Sequence, residues 1–185
     1  MTKYILHGGY ANRENPDNDK FYKEILNTDK KELSILIVLF AKPEEQQGDR
    51  KNKIIGLFEK NNKDKHLSYE VATQDGFINQ LHKADIIFLH GGETLKLLDM
   101  LRKFDERYSL YKLFNNKIIA GESAGAYVLS KWFYSKTEGG CFAGLSLVDV
   151  KTLCHYEGMN EEKLKKCKAS ETLLLPEHKY KIFNL

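Results

Sequence analysis

Short apolar runs of strand length recur along the chain and alternate with segments whose apolar residues repeat at helical spacing. The runs are KYILHG (3–8), SILIVLF (34–40), LSYEVAT (67–73), DIIFLHG (85–91), KIIAG (117–121) and TLLLP (172–176), rich in the β-branched and aliphatic residues that strands favour. Between them, Phe21, Tyr22, Ile25 and Leu26 form one helical stripe. Ile54, Ile55, Leu57 and Phe58 form a second, and Leu95, Leu97, Leu98 and Leu101 a third. Strands that are apolar on both faces need cover on both, and alternation with helices supplies the crossovers that parallel neighbours require. The pattern therefore predicts an α/β fold with a three-layer, doubly wound, mostly parallel sheet. At 185 residues the chain is read as a single α/β domain spanning 1–185.

In such sheets ligands bind beyond the carboxyl ends of the strands, so strand exits are the places to look for chemistry. HGG at 7–9, HGGET at 90–94 and GESAGA at 121–126 each follow a predicted strand directly, and all three are expected along one edge. AKPEEQQGDRKN (41–52) reads as a polar loop entering a helix, and EKNNKDKH (59–66) as a solvated connection.

GESAGA contains a Gly-x-Ser-x-Gly pattern, Gly121, Ser123 and Gly125, between a predicted strand and the predicted helix SAGAYVLSKW. A strand-to-helix elbow of this kind needs small residues two positions before and after the serine, because strand and helix approach closely there. A serine hydroxyl also needs a base and an oxyanion hole to act as a nucleophile. Ala124 N–H, at the start of the helix, is one candidate donor, and Gly92 N–H in HGGET is the other. Gly91, Glu93 and Glu122 are the neighbouring candidates for contact with substrate. The plain alternative is a helix-capping serine after a glycine turn.

Six histidines compete for the role of base. His66, His82 and His178 are expected at the surface, whereas His7 and His90 end strands at the functional edge. His155 follows the apolar stretch GLSLVDVKTLC and lies after the serine in the chain, as the base does in strand-elbow hydrolases.

The formal net charge of +3 is spread over mixed-sign segments, so neither a nucleic-acid stripe nor a membrane face is implied. No apolar run approaches the length of a spanning helix, and MTKYILHGG lacks the parts of an export signal. Cys141, Cys154 and Cys167 include no Cys-x-x-Cys pair, so free thiols in a reducing cytoplasm are expected rather than a disulfide or zinc.

GGET, then IIAGESAGA about thirty residues later, then CHY about thirty residues further on, resembles the dipeptidase E and cyanophycinase family of serine peptidases. The resemblance runs from the first strand to about residue 157. It implies a fold like the class I glutamine amidotransferases (flavodoxin-like), with serine in place of the cysteine nucleophile. By that resemblance Ser123 is the nucleophile, His155 the base, Gly92 and Ala124 the oxyanion hole, and Glu138 the acid that orients His155, with Asp149 as the competing acid. Expected with it are a small peptide substrate, no metal or organic cofactor, and a homodimer, the assembly that members of the family often form. The chain departs from the family in three ways. Glu122 replaces an aromatic or small residue, Cys154 stands where a proline commonly precedes the histidine, and the C-terminus is shorter than is typical. The reading that results is a cytoplasmic serine peptidase acting through an acyl-enzyme. An esterase of the same fold, or a ligand-binding module with an idle triad, are the alternatives.

Overall fold

The computed structural model describes residues 1–168 and 170–185. In chain order, the first half comprises β1 (Lys3–His7), α1 (Pro16–Ile25), β2 (Glu32–Val38), α2 (Glu44–Asn61), β3 (His66–Val71), α3 (Phe77–Lys83), β4 (Ile86–Leu89) and α4 (Thr94–Tyr108). The second half comprises α5 (Leu110–Leu113), β5 (Ile118–Glu122), α6 (Ala124–Leu129), β6 (Ser130–Ser135), β7 (Gly140–Ala143), β8 (Val148–Cys154), α7 (Glu161–Leu164), β9 (Glu171–Leu175) and β10 (Tyr180–Asn184).

The main sheet has the order β10-β1-β5-β4-β2-β3 and is parallel except for β10, which runs antiparallel to β1 at one edge. Strand alternation sorts its side chains to two faces. Ile5, Ile35, Ile37, Ile86, Phe88 and Ala120 join Phe21, Tyr22 and Ile25 of α1 and Ile54 and Phe58 of α2. Tyr4, Leu6, Leu36, Val38, Ile87, Leu89 and Ile119 join Phe77 and Leu81 of α3, Leu97, Leu98 and Leu101 of α4, and α6. Each large apolar side chain so buried contributes about 1.5–3 kcal/mol. The helices start where local chemistry allows: Asn15 caps α1, its side chain accepting from Asp17 N–H at 2.9 Å, and Pro16 opens the helix without a wasted donor. The mixed α/β fold with a mostly parallel sheet flanked by helices is thus the one the hydrophobic pattern predicts.

The pattern did not predict a second sheet. β6 to β9 form a separate four-stranded sheet, β7-β6-β8-β9, and TLLLP enters it as β9 rather than joining the main sheet. The predicted helix over SAGAYVLSKW stops at Leu129. Ser130 Oγ donates back to Ala126 O at 2.8 Å, and Trp132, Phe133 and Tyr134 then run as strand, the state that consecutive aromatics favour on a half-buried surface.

The cysteine expectation also fails in part. Cys141 on β7 and Cys167 after α7 form a disulfide, while Cys154 is a free, buried thiol. The 26-residue separation of the pair hid its proximity. Among the described residues, no helix is long and apolar enough to cross a membrane.

Candidate active site

β1, β5 and β4 are adjacent, with His7 paired to Glu122 and Leu89 to Gly121, so the three glycine-bearing exits do share one end of the sheet. At the end of β5 the backbone turns through Ser123, whose φ of 50° and ψ of −103° are strained for a residue with a side chain. Two hydrogen bonds hold it there. Ser123 N–H donates to His7 O at 2.9 Å, and Ser123 O accepts from Tyr127 N–H at 3.0 Å. The flanking glycines are required by contact: a Cβ on Gly121 would lie 2.5 Å from Gly125 C, and one on Gly125 would lie 2.2 Å from Leu89 O. The elbow is therefore a consequence of how closely α6 crosses β4 and β5.

The turn points Ser123 Oγ at His155, whose Nε2 is 3.0 Å away. His155 follows β8 in a left-handed conformation (φ 51°). Its N–H donates to Gly8 O at 3.0 Å and its carbonyl accepts from Lys136 Nζ at 2.6 Å. The ring lies over Gly9, where a Cβ would sit 2.2 Å from His155 Cε1 and where φ is +127°, so HGG is needed to seat the imidazole. Tyr10 covers the ring edge-on, with centroids 5.1 Å apart.

The carboxylate behind the imidazole is Glu177. Its Oε1 lies 3.3 Å from His155 Nδ1. Glu138 does not stand there: it is exposed in the turn between β6 and β7, where its N–H donates to Ser135 Oγ at 3.1 Å. Asp149 is not there either, being an exposed strand residue paired with Lys131 at 2.9 Å. The physical reason is the second sheet. It leaves Glu138 in an exposed turn and Asp149 on an exposed strand position, and the exit of β9 passes back over Gly8, where a Cβ would meet Pro176 O at 2.0 Å. Sequence reasoning missed Glu177 although TLLLP was a recognised strand; applying the strand-exit rule to PEHK would have flagged it. His178, expected at the surface, is half-buried beside Asn18 (3.1 Å) and Tyr10.

Ser123 and His155 open onto a cavity of about 340 Å³, lined also by Gly91, Gly92, His90 and Glu122. Its remaining walls are Tyr10, Asn12, Arg13, Lys42 and Arg50. Burial, then the charge of Arg50, lowers the Lys42 ammonium. Arg13 is stacked on the Tyr10 ring at 3.3 Å. Lys42 and Arg50 come from the stretch that reads as a polar loop entering a helix, to which the sequence alone assigns no role at the site. Among the described residues neither Gly91 nor Gly92 gives its N–H to a protein acceptor, and Ala124 N–H, at the first helical position, has no acceptor within its helix. Glu93 is an exposed residue preceding α4 and does not line the cavity.

Glu122 is held by two partners. Its Oε1 accepts from Ala11 N–H at 3.0 Å and its Oε2 lies 2.6 Å from His90 Nδ1. Burial alone would raise this carboxyl, but the bond to and charge of His90, with His7 and Ala11 N–H, outweigh it and hold the carboxyl well below its ordinary range. His7 is a structural histidine: Nδ1 accepts from Gly9 N–H at 3.1 Å, and Nε2 meets Asn18 Oδ1 at 3.0 Å. Burial lowers its pKa to about 4. Cys154 lies beneath the site, Sγ 3.7 Å from Ser123 O, with its thiol pushed up by burial, so it is no rival nucleophile. Among the described residues no group of three or more His, Cys, Asp or Glu side chains could hold a metal ion. A larger cleft of about 680 Å³, lined by Leu26, Lys31 and Lys65 among others, lies at the amino ends of β2 and β3, away from this chemistry.

The fold is similar to that of a provisionally assigned peptidase E from Listeria monocytogenes EGD-e (TM-score 0.65, 19% identity, 97% of this chain and 93% of that one covered). It is also similar to a peptidase from an acI-B1 Actinobacterium (TM-score 0.70, 16% identity, 99% and 83% covered). No curated protein matches the sequence. The model of Peptidase family S51 matches residues 5–179, nearly the whole chain, and with the serine elbow at its centre the chain belongs to that family of serine peptidases.

Proposed function

We propose that the chain hydrolyses short peptides through an acyl-enzyme, with Ser123 as nucleophile, His155 as base and Glu177 as the acid that orients it. The observation that carries this reading is the Ser123 Oγ to His155 Nε2 contact of 3.0 Å at a strained strand-to-helix turn. His155 Nε2 takes the serine proton as Oγ attacks the peptide carbonyl, and returns it to the leaving amine. The N–H groups of Gly92 and Ala124 face the carbonyl oxygen as charge develops on it. Glu177 holds the Nδ1–H tautomer and offsets the imidazolium charge. Only a short or terminal segment of peptide fits a cavity of about 340 Å³, and its cationic walls favour a substrate carrying a carboxylate. The free thiols expected of a cytoplasmic protein reduce to Cys154, because Cys141 and Cys167 are joined.

A fluorophosphonate probe tests the reading. Wild-type protein should be labelled stoichiometrically, and Ser123→Ala and His155→Ala should not be. A folded wild type that neither reacts nor cleaves any dipeptide would favour a ligand-binding module, and turnover of p-nitrophenyl esters without peptides would favour an esterase.

A further inference from the structure

One buried polar atom of a residue that lines the cavity is unaccounted for. His90 is 4% exposed, and among the described residues its Nε2 has no hydrogen-bond partner. Its other nitrogen is fully committed, because Nδ1 lies 2.6 Å from Glu122 Oε2. Glu122 is in turn fixed by Ala11 N–H on the β1 exit, so its ionised carboxylate can only accept. Nδ1–H is therefore the donor to Glu122, and in the tautomer that this bond selects Nε2 is left as an acceptor. The ring itself cannot swing away easily, since it stacks on Phe88 with an interplanar angle of 20°. A buried nitrogen left without a partner is costly, and this one belongs to a residue lining the cavity that holds Ser123 and Gly92.

The charge pattern indicates what the atom takes. Arg13, Lys42 and Arg50 supply positive charge to the cavity walls, while the His90–Glu122 pair, beside the His155–Glu177 pair, is backed by a carboxylate and is the one of the two not bonded to Ser123. A zwitterionic short peptide matches both, its carboxylate toward the cations and an N–H toward His90.

We infer that His90 Nε2 is a specificity-determining acceptor that takes an N–H of the bound peptide, with Glu122 as the positioning residue that fixes its tautomer. The inference rests on the proposed peptidase reading for the identity of the ligand. The N–H could belong to the α-ammonium or to the backbone amide.

The test pairs His90→Asn with His90→Gln. Asparagine keeps a donor where Nδ1 faces Glu122 but removes Nε2; glutamine reaches the Nε2 position and gives up the Glu122 bond. Each change is made in Ser123→Ala protein, and calorimetry measures binding of dipeptides with acidic, basic and apolar first residues and of their N-acetyl counterparts. The same changes in active protein are read by KM, kcat and the rate of fluorophosphonate labelling. Expected for His90→Asn are about ten-fold weaker binding and an equal rise in KM, with kcat and labelling within about three-fold of wild type. Loss confined to free dipeptides identifies the ammonium, and loss shared by the N-acetyl forms identifies the amide. Unchanged affinity in His90→Asn, with damage only in His90→Gln, overturns the inference by making His90 merely a brace for Glu122. Binding of no dipeptide to Ser123→Ala protein overturns it as well. His90-dependent binding without hydrolysis by the wild type refutes the triad reading and leaves the His90 contact standing.

Discussion

Glu177→Gln removes the charge facing His155 Nδ1 while keeping the side chain's size. Oε1 stands 3.3 Å from Nδ1, and the two side chains are 29% and 31% exposed. Two unit charges at that separation attract by about 5 kcal/mol at an effective dielectric of about 20 and by about 1.3 kcal/mol in water. A pair open to solvent on this scale lies toward the watery limit, and the long contact makes a weak hydrogen bond. The charge should therefore stabilise the imidazolium of the transition state by about 2 kcal/mol, and its removal should lower kcat/KM about 30-fold. A fully buried Asp–His contact loses about 10⁴-fold on the equivalent change, so a modest factor is itself part of the prediction. The assay is kcat/KM on a dipeptide substrate together with the fluorophosphonate labelling rate, for Glu177→Gln beside Glu138→Gln and Asp149→Asn. The latter two should stay within about two-fold of wild type, because Glu138 lies in an exposed turn and Asp149 is paired with Lys131. A Glu177→Gln enzyme with wild-type rates, or a greater loss in Glu138→Gln, would refute the reasoning.

Two further outcomes concern stability. The folded pKa of His7 is depressed from 6.5 to about 4 by burial, so between those values the unfolded chain binds a proton that the folded chain does not. Stability should then fall as pH drops through that window, by up to about 3 kcal/mol. Chemical denaturation at pH 7 and pH 4.5 reads this, and His7→Gln should flatten the dependence; an unchanged slope in that variant would assign it to other groups. Gly125→Ala puts a Cβ 2.2 Å from the backbone oxygen of Leu89, with no flexible side chain to yield. It should cost at least about 3 kcal/mol, and a wild-type melting temperature would disprove so close a packing of α6 on β4.

Most of the main sheet was legible because its code is local. Six apolar runs and three helical stripes carry their periods within windows of a few residues; five of the runs are strands of the main sheet and the sixth is β9 of the second, while the edge strand β10 was not read. The second sheet was hidden for the opposite reason. β6 begins directly after α6, so helix and strand share one apolar stretch, and β7 has only four residues, all half-buried. Ser123 and His155, which the structure brings together, were legible through the elbow glycines and through chain order. The carboxylate beside the imidazole was not, because it needs only to be near the ring in space, and an acidic residue at a plausible distance along the chain is no measure of that. Glu138 lies 17 residues before His155 and Glu177 lies 22 after it, yet only Glu177 reaches the ring.

The sequence alone determined the layered α/β architecture, the edge at which chemistry is found, and the serine that the Gly121–Gly125 turn presents. These follow from hydrophobic period and from backbone sterics, which act between near neighbours in the chain. Tertiary structure decided which carboxylate stands behind His155, that Glu122 is bonded to His90 and Ala11, that Cys141 meets Cys167, and that Lys42 and Arg50 line the cavity. Each of these is a contact between residues far apart in sequence, set by how two sheets and their loops converge. Distances of 3 Å between such groups are a property of the packed whole and are written in no single segment.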